Sequence, residues 1–432
     1  MTKRRDFIKT MGLAAAGAFA APYILPSGRL FAASGTRKAN HVVFCLFAGG
    51  IRNIESVKQQ ESNLMETILK GNFVAQSGID ATLPSSSLGS KKLQEYGTLL
   101  KEFRYADGPT GHFNGHTTAI TGKYTSEALN LRKRPDYPTI FEYYRKHTTP
   151  SKSALNSWWV CNTLGSNTVL NYSNYEGYGA TYGANYIQPT TLITETGYNA
   201  IGNPKNFTTD EYASAAKIRD FANKNFNKSI AQGDAGITNT SDDADQILSF
   251  FDTLYTEAIN GYYDDPWGMG SLMNNDMYNV FFAEKVLNQF QPELLVVNLT
   301  GVDVCHDDFT GYCNNLRLAD WSVSHLWNTI QNIPGMEDTI MIIAPEHGRN
   351  LNPNAIVDAY GRKALDHTND DTSREIFAMV CGPSGVVNQN KEVSSVYGES
   401  IDIVPTIANI LGFDTDIPSG ILDGKVLDEV FV

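Results

Sequence analysis

The chain has 432 residues, 42% of them hydrophobic and 19% charged, with 34 Lys and Arg set against 47 Asp and Glu for a formal net charge of −13. So large an apolar fraction with so few charges excludes disordered, collagen-like and coiled-coil chains. The acidic balance excludes a nucleic-acid binder, which needs a basic face. The length suits one large α/β domain with insertions, or about two to three ordinary domains.

Residues 1–33 form a separate segment. Lys3-Arg4-Arg5-Asp6-Phe7-Ile8-Lys9 precedes a short Ala-rich apolar run over 11–21, the pattern of a twin-arginine export signal. The run is too short to anchor stably in a bilayer, so no membrane span is expected in the mature chain, and the predicted location is periplasmic or secreted. Loss of the segment removes Lys3, Arg4, Arg5, Lys9 and Arg29 against only Asp6, which leaves a more acidic protein. The five cysteines cannot all pair internally. Cys45, Cys161 and Cys381 sit in strand-like runs, where a thiol behaves as a small hydrophobe, while spacing leaves a Cys305–Cys313 pairing open.

Beyond the signal, runs at 41–47 (HVVFCLF), 157–161, 293–299 (ELLVVNL), 339–344 (TIMIIA) and 375–381 (EIFAMVC) are apolar throughout, as strands covered on both faces should be. A helix is predicted to begin at His112. The spacing predicts further helices over 139–147, 275–290 and 314–333, the last repeating Leu316, Ala319, Val323, Leu326, Trp327 and Ile330. Between them, residues 162–206 carry Tyr172, Tyr175, Tyr178, Tyr182, Tyr186 and Tyr198 among Asn, Gly and Thr, with little period. That stretch is either an irregular excursion packed on its own aromatics or a substrate-facing cap. Helical patterning resumes from 208, with Thr209-Asp210-Glu211 as its cap. Strands alternating with helices predict a doubly wound, mostly parallel α/β sheet with helices on both faces. Residues 34–160 and 285–432 would form the core, and 161–284 a central insertion.

The chemistry gathers after the strands. ELLVVNL runs into Asp303-Val304-Cys305-His306, TIMIIA runs into Pro345-Glu346-His347-Gly348-Arg349, and Asp366-His367 precedes EIFAMVC. Residues just past the carboxyl ends of parallel strands share one sheet edge, and carboxylate with imidazole is a ligand set for divalent ions. Asp303, His306, Glu346, His347 and His367 are therefore the candidate metal ligands. Zinc is the first expectation, with manganese, magnesium or calcium as alternatives.

The order of these motifs resembles the alkaline phosphatase superfamily, which includes sulfatases and nucleotide pyrophosphatases. The resemblance rests on the turn Phe47-Ala48-Gly49-Gly50-Ile51-Arg52, the pair Thr121-Gly122, the Asp303/His306 and Glu346-His347-Gly348 motifs, His367, and the tail from Asp402 through Pro405-Thr406 to Gly424-Lys425. Gly111-His112-Phe113-Asn114 and Glu346-His347-Gly348-Arg349 are most similar to a twin-arginine-exported family of unknown function within it. The likeness covers 41–123 and 293–428 and implies an exported, metal-dependent hydrolase of phosphate or sulfate esters, acting on a small-molecule or glycan-type anionic ester. Two departures qualify that. No carboxylate follows the first strand before Glu55, and His112 stands where the family pattern places a Thr, Ser or Cys nucleophile. The expectation is a slow or narrow hydrolase in which His112 or His116 handles protons, Arg52 and Arg349 clamp the anion, and Asn114 joins Arg349 in binding substrate. The alternative is a catalytically degenerate relative serving as an extracytoplasmic binding or structural module.

Overall fold

The computed structural model describes residues 36–60, 62–126, 134–148, 151–161, 170–189, 237–368 and 370–432. Residues 1–33, read above as an export signal, Tyr198 and the expected cap at Thr209-Asp210-Glu211 lie outside the described residues.

Among the described residues, eight strands make one sheet: β1 (Val42–Phe47), β2 (Gly97–Arg104), β3 (Ser157–Val160), β4 (Asn185–Ile187), β5 (Leu294–Leu299), β6 (Ile340–Pro345), β7 (Glu375–Cys381) and β8 (Lys391–Glu399). Their spatial order is β4-β3-β5-β1-β6-β7-β2-β8. All pairings are parallel except the two made by β7, which runs antiparallel to both β6 and β2. HVVFCLF and TIMIIA are direct neighbours, with Val42 beside Ile340 and Phe47 beside Pro345.

Among the described residues, six helices cover the two faces: α1 (His112–Thr121), α2 (Ile140–His147), α3 (Ser241–Ile259), α4 (Asn275–Phe290), α5 (Phe309–Gln331) and α6 (Ile403–Leu411). Alternate residues of each strand enter separate cores. Val43, Cys45 and Phe47 pack with α3, α4 and α5, whereas Val42, Phe44 and Leu46 pack with α1, α2 and α6. The continuous apolar runs have their reason here, since both faces of β1, β5 and β6 are buried. Helix α5 starts five residues ahead of the expected position because Asp308 caps it, accepting from Gly311 N–H at 2.8 Å. Strand β4 brings part of the predicted insertion into the sheet beside β3. All five cysteines are buried and none is in a disulfide, Cys305 and Cys313 included. Among the described residues, no helix is long and apolar enough to cross a membrane.

Candidate metal centre

Topology explains why distant segments meet. Strands β1, β5 and β6 run parallel, so the residues after Phe47, Leu299 and Pro345 leave the sheet at one edge. Strand β2 runs the same way, which delivers Thr110 and His112 to that edge. Strand β7 runs backwards, so the segment that enters it, His367 to Arg374, begins there too.

Four side chains converge: one ligand atom from each of His112, Asp303, His306 and His367 lies within 4.8 Å of the others. Asp303 Oδ1 sits 3.1 Å from His112 Nε2 and 3.3 Å from His306 Nε2. The opposite nitrogen of each ring is engaged by an oxygen. His112 Nδ1 donates to Glu346 Oε1 (2.7 Å), His306 Nδ1 to Asp366 Oδ1 (2.9 Å), and His367 Nδ1 to the Thr110 carbonyl. Thr110 answers by donating its hydroxyl to the His367 carbonyl. His112 and His306 are thereby fixed with Nε2 aimed at Asp303, and His367 is held through Nδ1 with its Nε2 left for a ligand, the arrangement by which outer partners orient metal-ligating histidines. The donor set of three imidazoles and a carboxylate fits zinc or a similar divalent cation.

The electrostatics follow from this packing. Burial alone would lower the pKa of His112, but the carboxylates of Glu346 and Asp303 outweigh it and lift it to about 10. Burial opposes ionisation of Asp303, yet hydrogen bonds from His112 and His306 hold its carboxyl well below the usual range. His367 is pushed the other way, by burial and by His347, His112 and Arg349 beside it, so its ring stays neutral with a lone pair to offer. The centre is open on one side, as 30% of the His112 side chain, 31% of His306 and 41% of Asp303 remain exposed.

A second group shares His112 and adds Glu346 and His347, both fully buried. Glu346 also accepts from Gly49 N–H, and its Oε2 lies against His116, whose Nδ1 donates to the His112 carbonyl at 2.7 Å. The Gly49-Gly50 turn passes so closely that a Cβ on Gly49 would stand 2.6 Å from Asp303 N and one on Gly50 2.4 Å from His347 Nδ1. Both glycines have positive φ, at 109° and 80°.

The remaining candidates sit elsewhere. His116 is buried behind Glu346, with Nε2 3.1 Å from Asn298 Oδ1. Arg349 is fully buried, and its guanidinium donates to the Leu365 and Val302 carbonyls and, at 3.0 Å, to Asp303 Oδ1. Arg52 closes on Glu55 through Nε at 2.9 and 3.1 Å. Asn114 is buried and donates to the Thr125 carbonyl. Asp366 and Thr110 hold His306 and His367 from behind, a role the sequence does not assign to either. Adjacency to His367 is the signal for Asp366, while the Thr110 contact is a carbonyl with no side-chain trace.

Beside His367 a polar cavity of about 520 Å³ is lined by Thr110, Thr368, Asp371, Ser373 and Arg374, among others. Arg374 is held by the carbonyls of Gly108 (2.7 Å) and Tyr105 (3.4 Å).

No protein-family model matches the chain, and no curated protein matches it. Several solved structures are similar. A protein in the alkaline phosphatase superfamily from Vibrio parahaemolyticus is 12% identical, with 90% of this chain and 72% of that one covered at a TM-score of 0.44. The alkaline phosphatase PafA is 14% identical, with 92% and 99% covered at 0.49. A 2-O GAG sulfatase is 11% identical, with 91% and 74% covered at 0.46.

Proposed function

We propose that this chain is an exported, metal-dependent hydrolase of phosphate or sulfate esters that uses one divalent cation. The observation that carries the reading is the convergence of three imidazoles on Asp303, His112 and His306 through Nε2 and His367 within 4.8 Å, each ring held on Nδ1 by an oxygen. His112, Asp303, His306 and His367 would hold the cation. Glu346 orients His112, so a second ion at Glu346 and His347 would compete for the same ring. Once bound, a divalent cation supplies Lewis-acid polarisation of the ester and a water of lowered pKa.

The chain's own groups do the rest. Arg349 keeps Asp303 ionised and aimed. Thr110 spends its hydroxyl on the His367 carbonyl, so attack by water suits this site better than a covalent serine-type route. The exposed side of the centre admits the anionic ester, and the polar cavity beside His367 takes the alcohol portion, with Arg374, Asp370 and Asp371 as its charged contacts. Arg52, neutralised by Glu55, supports the turn after β1. The reading of a binding module without turnover is favoured by one feature, the carboxylate-free Gly49-Gly50 turn packed against Asp303 and His347.

One experiment separates these. Protein from the exported fraction should contain about one equivalent of a divalent metal and hydrolyse an aryl phosphate, phosphodiester or sulfate. His367→Ala should lower metal affinity and turnover by about a hundredfold or more. Metal without turnover on any of these esters would favour the binding module, and a metal-free wild type would overturn the hydrolase.

A further inference from the structure

Two of the four converging side chains, Asp303 and His306, leave one short turn after β5, and that turn is gripped from both sides. Its N–H groups point at Asp276 in the first turn of α4. Asp276 Oδ1 accepts from Thr300 N–H at 2.6 Å and Gly301 N–H at 3.1 Å, and Oδ2 accepts from Gly301 N–H at 2.9 Å. Its carbonyl side is held by α5, where Asn315 donates to the Gly301 carbonyl at 2.7 Å. Asn274, the cap of α4, donates in turn to Asn315 Oδ1 at 3.3 Å.

Asp276 is fully buried and, among the described residues, forms no ion pair. Burying a carboxylate without a cation is costly unless hydrogen bonds satisfy it. Here the donors are the backbone of the ligand-bearing turn together with the favourable field at a helix N-terminus. Burial pushes the carboxyl up to about 6 against those donors. The fit is tight enough to dictate the neighbouring residue, because a Cβ on Gly301 would stand 2.7 Å from Asp276 Oδ2. From Gly301 the chain enters a 3₁₀ turn, Gly301–His306, with Asp303 N–H donating to the Thr300 carbonyl at 3.1 Å. A shift at Gly301 is therefore carried directly to Asp303 and His306.

We infer that Asp276 is a positioning residue of the metal centre: it sets the turn that presents Asp303 and His306, with Asn315 as its counterpart on the carbonyl side. The inference rests on the metal-centre reading above. The test measures Zn²⁺ affinity of the full chain by competition with a chromophoric chelator, alongside the thermal midpoint of the metal-free protein. Asp276→Asn keeps one acceptor oxygen and should weaken zinc binding about tenfold. Asp276→Ala keeps none and should weaken it further, toward a hundredfold, the range seen for outer-sphere partners. Asn315→Ala, at a partly buried helix position, should fold and cost about threefold or more. If folded Asp276 variants bind zinc within about twofold of wild type, the positioning role is overturned and the metal centre stands. If both Asp276 variants fail to fold, unchanged affinity in Asn315→Ala overturns the grip on the turn, and the expected loss upholds it. Wild type that takes up no zinc overturns the metal centre and this inference together.

Discussion

At the scale of single residues, the centre is defined less by its four inner atoms than by what stands behind them. His306 would be free to rotate at a solvent-facing position were its Nδ1 not bonded to Asp366, whose own second partner is Asn354 at 3.2 Å. Because Asp366 is 42% exposed at its side chain, removing it should not disturb folding. Asp366→Ala is therefore expected to weaken zinc binding about tenfold to a hundredfold while leaving the thermal midpoint of the metal-free protein within about 2 °C, since surface substitutions rarely exceed about 0.5 kcal/mol. Titration calorimetry with zinc, paired with a metal-free melt, checks both halves. An unchanged affinity would mean that His306 needs no orienting partner.

Among the elements, α5 carries the corresponding device on the opposite side of its length. Asp320 is buried and accepts from Thr67 N–H and Ile68 N–H at 2.8 Å each and from the Thr67 hydroxyl at 2.7 Å, pinning the 62–69 loop to the helix. Burial pushes its carboxyl up to about 7 despite those donors. The folded pKa thus lies above the unfolded value near 3.9, so the folded state binds the extra proton between the two. Stability from this group is greatest at low pH and declines as pH rises from about 4 to about 7. Asp320→Asn, which cannot titrate, should remove that part of the slope. Urea unfolding midpoints from pH 4.5 to 8 should show the curves of wild type and variant with different slopes below pH 7 and parallel above it; parallel curves throughout would refute the assignment.

For the molecule as a whole, a question is how the Tyr-rich segment is fastened to the sheet. The structure shows two buried charges doing so. Glu142 of α2 accepts from the Thr139 N–H and hydroxyl, the Ser173 N–H and hydroxyl, and Gly179 N–H. Arg145, one helical turn on, donates to the carbonyls of Lys152, Gly183 and Thr238. Replacing one carboxylate oxygen by an amide in Glu142→Gln leaves buried donors without an acceptor, at about 1–3 kcal/mol each. Hydrogen exchange should therefore accelerate at Ser173 and Gly179 by about tenfold or more while β1, β5 and β6 stay protected. Uniform acceleration across the sheet would instead mean that the segment and the core open as one unit.

The sequence by itself determined the elements whose burial is uniform. Unbroken apolar runs can be stable only between two helical layers, so β1, β3, β5, β6 and β7 were legible within about a residue or two. Strands β2 and β8 were not, because GTLLKEFR and KEVSSVYGE mix charge into a strand near or at the sheet edge, and β4 is only three residues long. The family resemblance placed His112 at a helix start, and the strand pattern placed Asp303, His306, Glu346 and His347 beyond strand ends. Only the tertiary structure decided the rest. The reversed direction of β7 brings His367 to the same edge, a matter of strand pairing between segments far apart in the chain. Whether Arg349 faces a ligand or the interior, and which oxygen holds each imidazole from behind, depend on packing across the sheet edge. A carbonyl such as that of Thr110 leaves no mark on the residue type that bears it, so orientation at the centre emerges only once the chain has folded.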